Sequence, residues 1–170
     1  MSTSSRLMIV VALISGVACQ SATLGAPVDQ IPSTAIDEHF GDAGVRRLVH
    51  AYYSGFNQPA RTVIRDEESW RSAWATYYTG MLPIVSPPVI DFSSSTVVLV
   101  ALGSRSTGGY DITVSRVARD AGIVYVEVTS TSPGDKCYTT QAFTQPVDIV
   151  VVPHTVDEAV FVERKTVHQC

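Results

Sequence analysis

Two strand-like runs, Thr96-Val97-Val98-Leu99-Val100-Ala101-Leu102-Gly103 and Tyr110-Asp111-Ile112-Thr113-Val114-Ser115-Arg116-Val117, flank a short segment that ends in Thr107-Gly108-Gly109. Adjacent glycines reach the positive-φ conformations that a tight reversal needs. The pair therefore predicts that the chain folds back on itself here as a hairpin. Asn-Gly or Asp-Gly would reverse the chain equally well, so turn geometry leaves Thr107 and Tyr110 unexplained. A tyrosine buries a large, rigid ring at low entropic cost, which suits an interface anchor. Thr107, Gly108, Gly109 and Tyr110 are accordingly candidate binding residues. The plainer alternative has Tyr110 open a strand and pack in the core.

The rest of the domain alternates strands with turns. Val45–Tyr53 and Arg61–Arg65 read as strands, followed by one amphipathic helix from about Glu67 to Thr79. Asp66 is its expected N-cap, since a short carboxylate accepts the free amides of the first turn, and Glu67 and Glu68 suit the positive end of the helix dipole. Trp70, Trp74 and Tyr77 or Tyr78 share one helical face, which assigns both tryptophans to the core. Further strands are expected at Thr96–Leu102, Tyr110–Ala118, Gly122–Ser130, part of Ala142–Val152 and Ala159–Arg164. Asp120-Ala121-Gly122 and Ser132-Pro133-Gly134-Asp135 break them as turns. The fold class is mainly β (α+β), an antiparallel sheet or sandwich carrying one helix. Thr139-Thr140-Gln141 and Gln145-Pro146 form either a second polar surface or an edge strand that Pro146 interrupts.

The N-terminus reads as an export signal. Arg6 is the only charge among residues 1–28, and Leu7–Ala18 is almost wholly apolar. That run matches a secretory h-region of roughly 7–15 residues and is shorter than the ~20 needed to span a bilayer. Ala18-Cys19 resembles a bacterial lipoprotein cleavage site, with Gly16 where leucine is usual. The expectation is a signal over 1–18, lipidation of Cys19, a flexible tether over 19–44 and a β-rich domain over 45–170. Ser33–Phe40 could hold a short helical turn. The product would be exported to the cell envelope, lipid-anchored or periplasmic. With Cys19 acylated, Cys137 and Cys170 are left as the one possible disulfide, and an oxidising compartment favours it. Two free thiols, or a bond between chains through Cys170, are the alternatives. A net charge of −4 without a basic stripe speaks against nucleic acid as a partner.

Catalytic patterns are missing at the level of local sequence. There is no Gly-x-Ser-x-Gly elbow, and Gly103-Ser104-Arg105-Ser106 does not supply one. His39, His50, His154 and His168 are scattered without metal-ligand spacing, so no metal and no cofactor is expected. Gly108-Gly109 lacks the lysine and spacing of a phosphate loop. Cys137 beside Lys136 has the makings of an activated thiol, but a structural disulfide explains it better.

One ordered series of motifs remains: Ser54-Gly55; Val63-Ile64-Arg65-Asp66 with Trp70 and Trp74; Val89-Ile90-Asp91-Phe92; Thr107-Gly108-Gly109-Tyr110; Pro133-Gly134 with Cys137; and Thr139-Thr140-Gln141-Ala142-Phe143-Thr144-Gln145-Pro146. In this order it resembles the PrcB-like C-terminal domain family, named for a subunit of a bacterial surface protease complex. The resemblance covers roughly Tyr53–Pro153. It implies an exported, non-enzymatic protein that associates with or stabilises a protein partner, a protease among the candidates. Thr107-Gly108-Gly109-Tyr110 also looks like the Thr-Thr-Gly-Tyr loop of chagasin-type cysteine-protease inhibitors, whose companion loops have no counterpart here. That likeness implies a protease inhibitor as the alternative function. A small envelope enzyme is the third reading.

Overall fold

The structure is a computed structural model that describes residues 29–41 and 44–170. The expected signal over 1–18, Cys19 and residues 20–28, 42 and 43 of the expected 19–44 tether lie outside the described residues. No described helix is long and apolar enough to cross a membrane.

Among the described residues, eight strands and one helix follow in the order β1 (Ile36–Glu38), β2 (Arg46–Ala51), β3 (Pro59–Ile64), α1 (Glu67–Tyr77), β4 (Thr96–Leu102), β5 (Asp111–Asp120), β6 (Ile123–Pro133), β7 (Val147–Val152) and β8 (Glu158–His168). They build two four-stranded sheets, ordered β1-β5-β6-β8 and β2-β7-β4-β3. All pairs are antiparallel except β6 with β8. The parallel pair departs from a purely antiparallel expectation and has a topological cause. Strand β7 belongs to the other sheet, so the chain crosses back through residues 153–157 and enters beside β6 in the same direction.

The molecule has three layers: helix, sheet, sheet. Val98, Val100, Val150 and Val152 point into the core between the sheets, where they meet Ile112, Val114, Val117, Val124, Val126 and Val128. The alternate residues Val97, Leu99, Ala101, Ile149 and Val151 point the other way and pack under Trp70 and Trp74. Strands covered on both faces read as near-continuous apolar runs, interrupted in β7 by Asp148, which is why β4 and β7 show no alternation. Helix α1 begins as its cap predicts. Asp66 accepts the Ser69 amide through Oδ1 at 2.8 Å, and these hydrogen bonds hold its carboxyl below the ordinary range. Trp70 Nε1 donates to Pro88 O (2.9 Å) and Trp74 Nε1 to Val85 O (2.7 Å), so the helix also fixes the proline-rich loop.

Two expectations are corrected. Ser33–Phe40 holds no helical turn: Ile36–Glu38, inside the segment expected as a tether, pairs with β5 through Ile36–Arg119 and Glu38–Val117. Arg116 to Asp37 (2.6 Å) and Arg119 to Glu38 (2.9 Å) hold it there. Gly108-Gly109 is not a hairpin turn, because β4 and β5 lie in different sheets. The tight hairpin is β5–β6, closed by Ala121 (φ 48°) and Gly122 (φ 86°). Two successive positive-φ residues are the geometry of a type I′ turn.

Candidate protein-binding surface

The segment from Gly103 to Tyr110 crosses from one sheet to the other at one end of the sandwich, and residues 134–146 run alongside it. Gly108 N–H donates to Thr140 O at 2.9 Å, and Thr144 Oγ1 donates to Thr107 O at 2.9 Å. Arg105 and Thr144 exchange backbone hydrogen bonds at 2.8 and 3.0 Å. The two motifs singled out in the sequence are therefore one structural unit.

The glycines have a packing reason as well as a conformational one. A Cβ on Gly108 would collide with Thr140 Oγ1, and one on Gly109 would lie 3.0 Å from Pro133 Cβ. Gly109 also has φ +85°, a region L-residues disfavour. The crossover is thus wedged against its neighbour and does not project as a free finger. Thr107 donates its hydroxyl proton to Gly108 O at 3.2 Å. Among the described residues, no group of three His, Cys, Asp or Glu is placed to hold a metal ion.

Tyr110 is half-buried and forms a wall shared by two clefts. One, of about 440 Å³, is lined by Tyr52, Tyr53, Gly108, Gly109, Thr140 and His168 among others. Its rim carries the His50–Asp111 pair at 2.8 Å. The other, of about 480 Å³, opens between the edges of β3 and β8. Around the first cleft, Tyr52, Tyr53, Tyr138 and Phe143 are all exposed. Gln145 N–H donates to Tyr52 O (2.9 Å) and Ser54 Oγ donates to Gln145 O (2.8 Å), which sets the segment carrying Phe143 beside Tyr52 and Tyr53. Exposed aromatics on the segments that flank Tyr110 have the composition of a contact surface.

The floor of this end is pinned covalently and electrostatically. Cys137 and Cys170 are joined, with Cα atoms 5.2 Å apart, so the disulfide expectation is met within the chain. Gly134 N–H donates to His168 O (2.9 Å) beside it. Between the sheets, fully buried Asp148 accepts Arg47 Nε (2.9 Å), Thr113 Oγ1 (3.1 Å) and Val114 N–H (2.7 Å). Arg47 in turn donates to Val114 O at 2.8 Å. Both partners sit at register shifts, between Arg47 and Val49 and between Val114 and Arg116. The bulges turn these edges toward each other. This clamp was missed in the sequence, although a lone aspartate inside Val147–Val152 was its signal. The exposed aromatics and Arg105 were missed too, because no local pattern gathers Tyr52, Tyr138 and Phe143.

No curated protein and no solved structure matches the chain. Residues 96–153, from β4 through the crossover, β5, β6 and the 134–146 loop to the end of β7, match the family model described as PrcB C-terminal, the family that the order of motifs resembles.

Proposed function

We propose that this chain is a non-enzymatic, exported protein-binding module, an accessory or stabilising subunit of an envelope protease or another surface complex. It contacts its partner through the end of the sandwich that carries Thr107, Gly108, Gly109 and Tyr110, and Cys19 carries the lipid that keeps it at the membrane. The observation that carries this reading is the exposed aromatic group Tyr52, Tyr53, Tyr138 and Phe143, set around half-buried Tyr110 inside the segment that matches the PrcB C-terminal family. Aromatic side chains left in water by a rigid scaffold are recurrent interface anchors. The Cys137–Cys170 bond supports export, since such bonds persist in oxidising compartments. The inhibitor alternative asks for a loop that enters an active-site cleft, and a crossover wedged against Thr140 and Pro133 offers little to insert.

Crosslinked capture from the envelope fraction, with wild type and Tyr110→Ala in parallel, tests the reading. A discrete partner that the substitution removes is the expected outcome; identical background proteins from both chains would remove its support. Protease activity measured with and without the chain then separates stabilisation from inhibition.

A further inference from the structure

The second cleft differs in chemistry from the aromatic surface across Tyr110. Its lining includes Arg61 of β3, Glu163 and Lys165 of β8, and Arg105 and Tyr110 of the crossover. Three cations face one carboxylate. Glu163 is already engaged by Arg61, through Nε at 2.6 Å and Nη2 at 3.0 Å. Among the described residues, Arg105 and Lys165 form no ion pair with an acidic side chain, in a chain whose net charge is −4. Arg105 is the unusual one. Its guanidinium lies 5.6 Å from the centroid of the Tyr110 ring and donates through Nη2 to Leu102 O (2.9 Å), while its Nε–H is buried with no acceptor. Leaving a buried donor on a charged group unpaired is unfavourable, and folded proteins rarely tolerate it without a reason. With Nε shielded and Nη2 committed to Leu102 O, the Nη1 edge of Arg105 is the part left for an incoming carboxylate.

We propose that this cleft receives an aspartate or glutamate side chain from an extended segment of the partner protein. The carboxylate pairs with Arg105 and is attracted by Lys165. The flanking residues of that segment lie over Pro59, Leu102 and Val167. The open edge of β8 passes the cleft between Glu163 and Val167 and has only β6 as a neighbour, so it can pair with the backbone of an added strand. This inference rests on the protein-binding reading and adds the chemistry of what is bound.

The test uses the full chain and a blocked pentapeptide, Thr-Val-Glu-Val-Thr, with its Gln counterpart, titrated while backbone amide and arginine Nε–H resonances are followed. The expected result is a shift of Arg105 Nε–H and of the Lys165–Val167 amides on β8 with the Glu peptide. Affinity should fall by about tenfold for the Gln peptide and for Arg105→Gln, the factor expected for one charge-assisted hydrogen bond. Arg105→Lys should recover only part of it. Equal shifts with both peptides, shifts confined to other surfaces, or no shift at millimolar peptide would overturn the inference. Arg105→Met supplies the readout that a structural arginine would not give. If the residue is held for a ligand, its melting temperature stays level or rises while peptide binding is lost; a marked fall in melting temperature would assign Arg105 to the fold instead. Failure here is separable from failure of the protein-binding reading. Partner capture that survives Arg105→Gln but not Tyr110→Ala would discard the acidic segment and keep the binding surface.

Discussion

Replacing Asp148 by asparagine changes the shape of the side chain very little and removes its charge at the junction of the two sheets. The carboxylate accepts on both oxygens: Oδ1 takes Arg47 Nε–H at 2.9 Å, and Oδ2 takes Val114 N–H at 2.7 Å and Thr113 Oγ1 at 3.1 Å. An amide offers one acceptor and one donor, so one side must meet donor with donor. If the oxygen stays on Val114, the bond to Arg47 is lost, worth about 1.5–3 kcal/mol for a charged pair. If it turns to Arg47, the buried Val114 amide is orphaned at about 1–3 kcal/mol. The bonds that survive also lose their charge assistance. Arg47 is 36% exposed and regains water, which keeps the total below the 3–5 kcal/mol of a fully buried broken pair. The expected cost is about 2–4 kcal/mol, a sizeable share of the 5–15 kcal/mol that holds a typical domain. Urea unfolding followed by tryptophan fluorescence reads it directly, with the midpoint falling and the slope unchanged. Arg47→Met should cost a comparable amount, and the double variant less than the sum of the two. A loss below about 1 kcal/mol for Asp148→Asn would refute the clamp as a structural element.

Cys137→Ser with Cys170→Ser should lower stability by about 2–4 kcal/mol, from the entropy of a released loop of this size. Denaturant unfolding of oxidised and substituted chains measures the difference. Gly108→Ala should cost about 1–3 kcal/mol, since the added methyl displaces Thr140 from the crossover; partner capture should fall with it. Asp66 and Asp91 are both held below the ordinary carboxylate value of 3.8 by hydrogen bonds, from Ser69 in the first case and from Ser93 and Ser94 in the second. A depressed folded value means that their contribution is complete above that pH and fades as pH drops through the folded value. Melting curves across the acid range should therefore show a shallower acid loss in Asp66→Asn/Asp91→Asn than in wild type. A parallel decline in both proteins would exclude these caps as the source.

Elements whose signals are local were legible in the sequence. Asp66, the Trp70–Trp74 face and the apolar runs at 96–102 and 147–152 announce their elements through a cap, a helical spacing and continuous apolar character, and the structure places them within a few residues. Sheet membership was not legible. Whether β5 pairs with β4 or starts a second sheet depends on contacts with β6 and β7, so Gly108-Gly109 looked like a hairpin and is a crossover. Three-residue β1 was hidden for the same reason: its pairing relies on Arg116 and Arg119, eighty residues away in sequence. At the candidate site, Thr107–Tyr110 could be singled out because turn chemistry did not account for all four residues. Tyr52, Tyr138 and Phe143 could not, because only the folded backbone brings them beside that crossover.

Site-specific photocrosslinking in the envelope tests the binding surface most directly. A photoreactive residue is placed in turn at Tyr138, at Phe143 and, as a control on the exposed face of the helix, at Arg71. A protein that binds through the Tyr110 end gives the same discrete adduct from Tyr138 and Phe143 and none from Arg71. Adducts of equal yield from all three positions, or an adduct from Arg71 alone, would contradict a partner surface at that end of the sandwich.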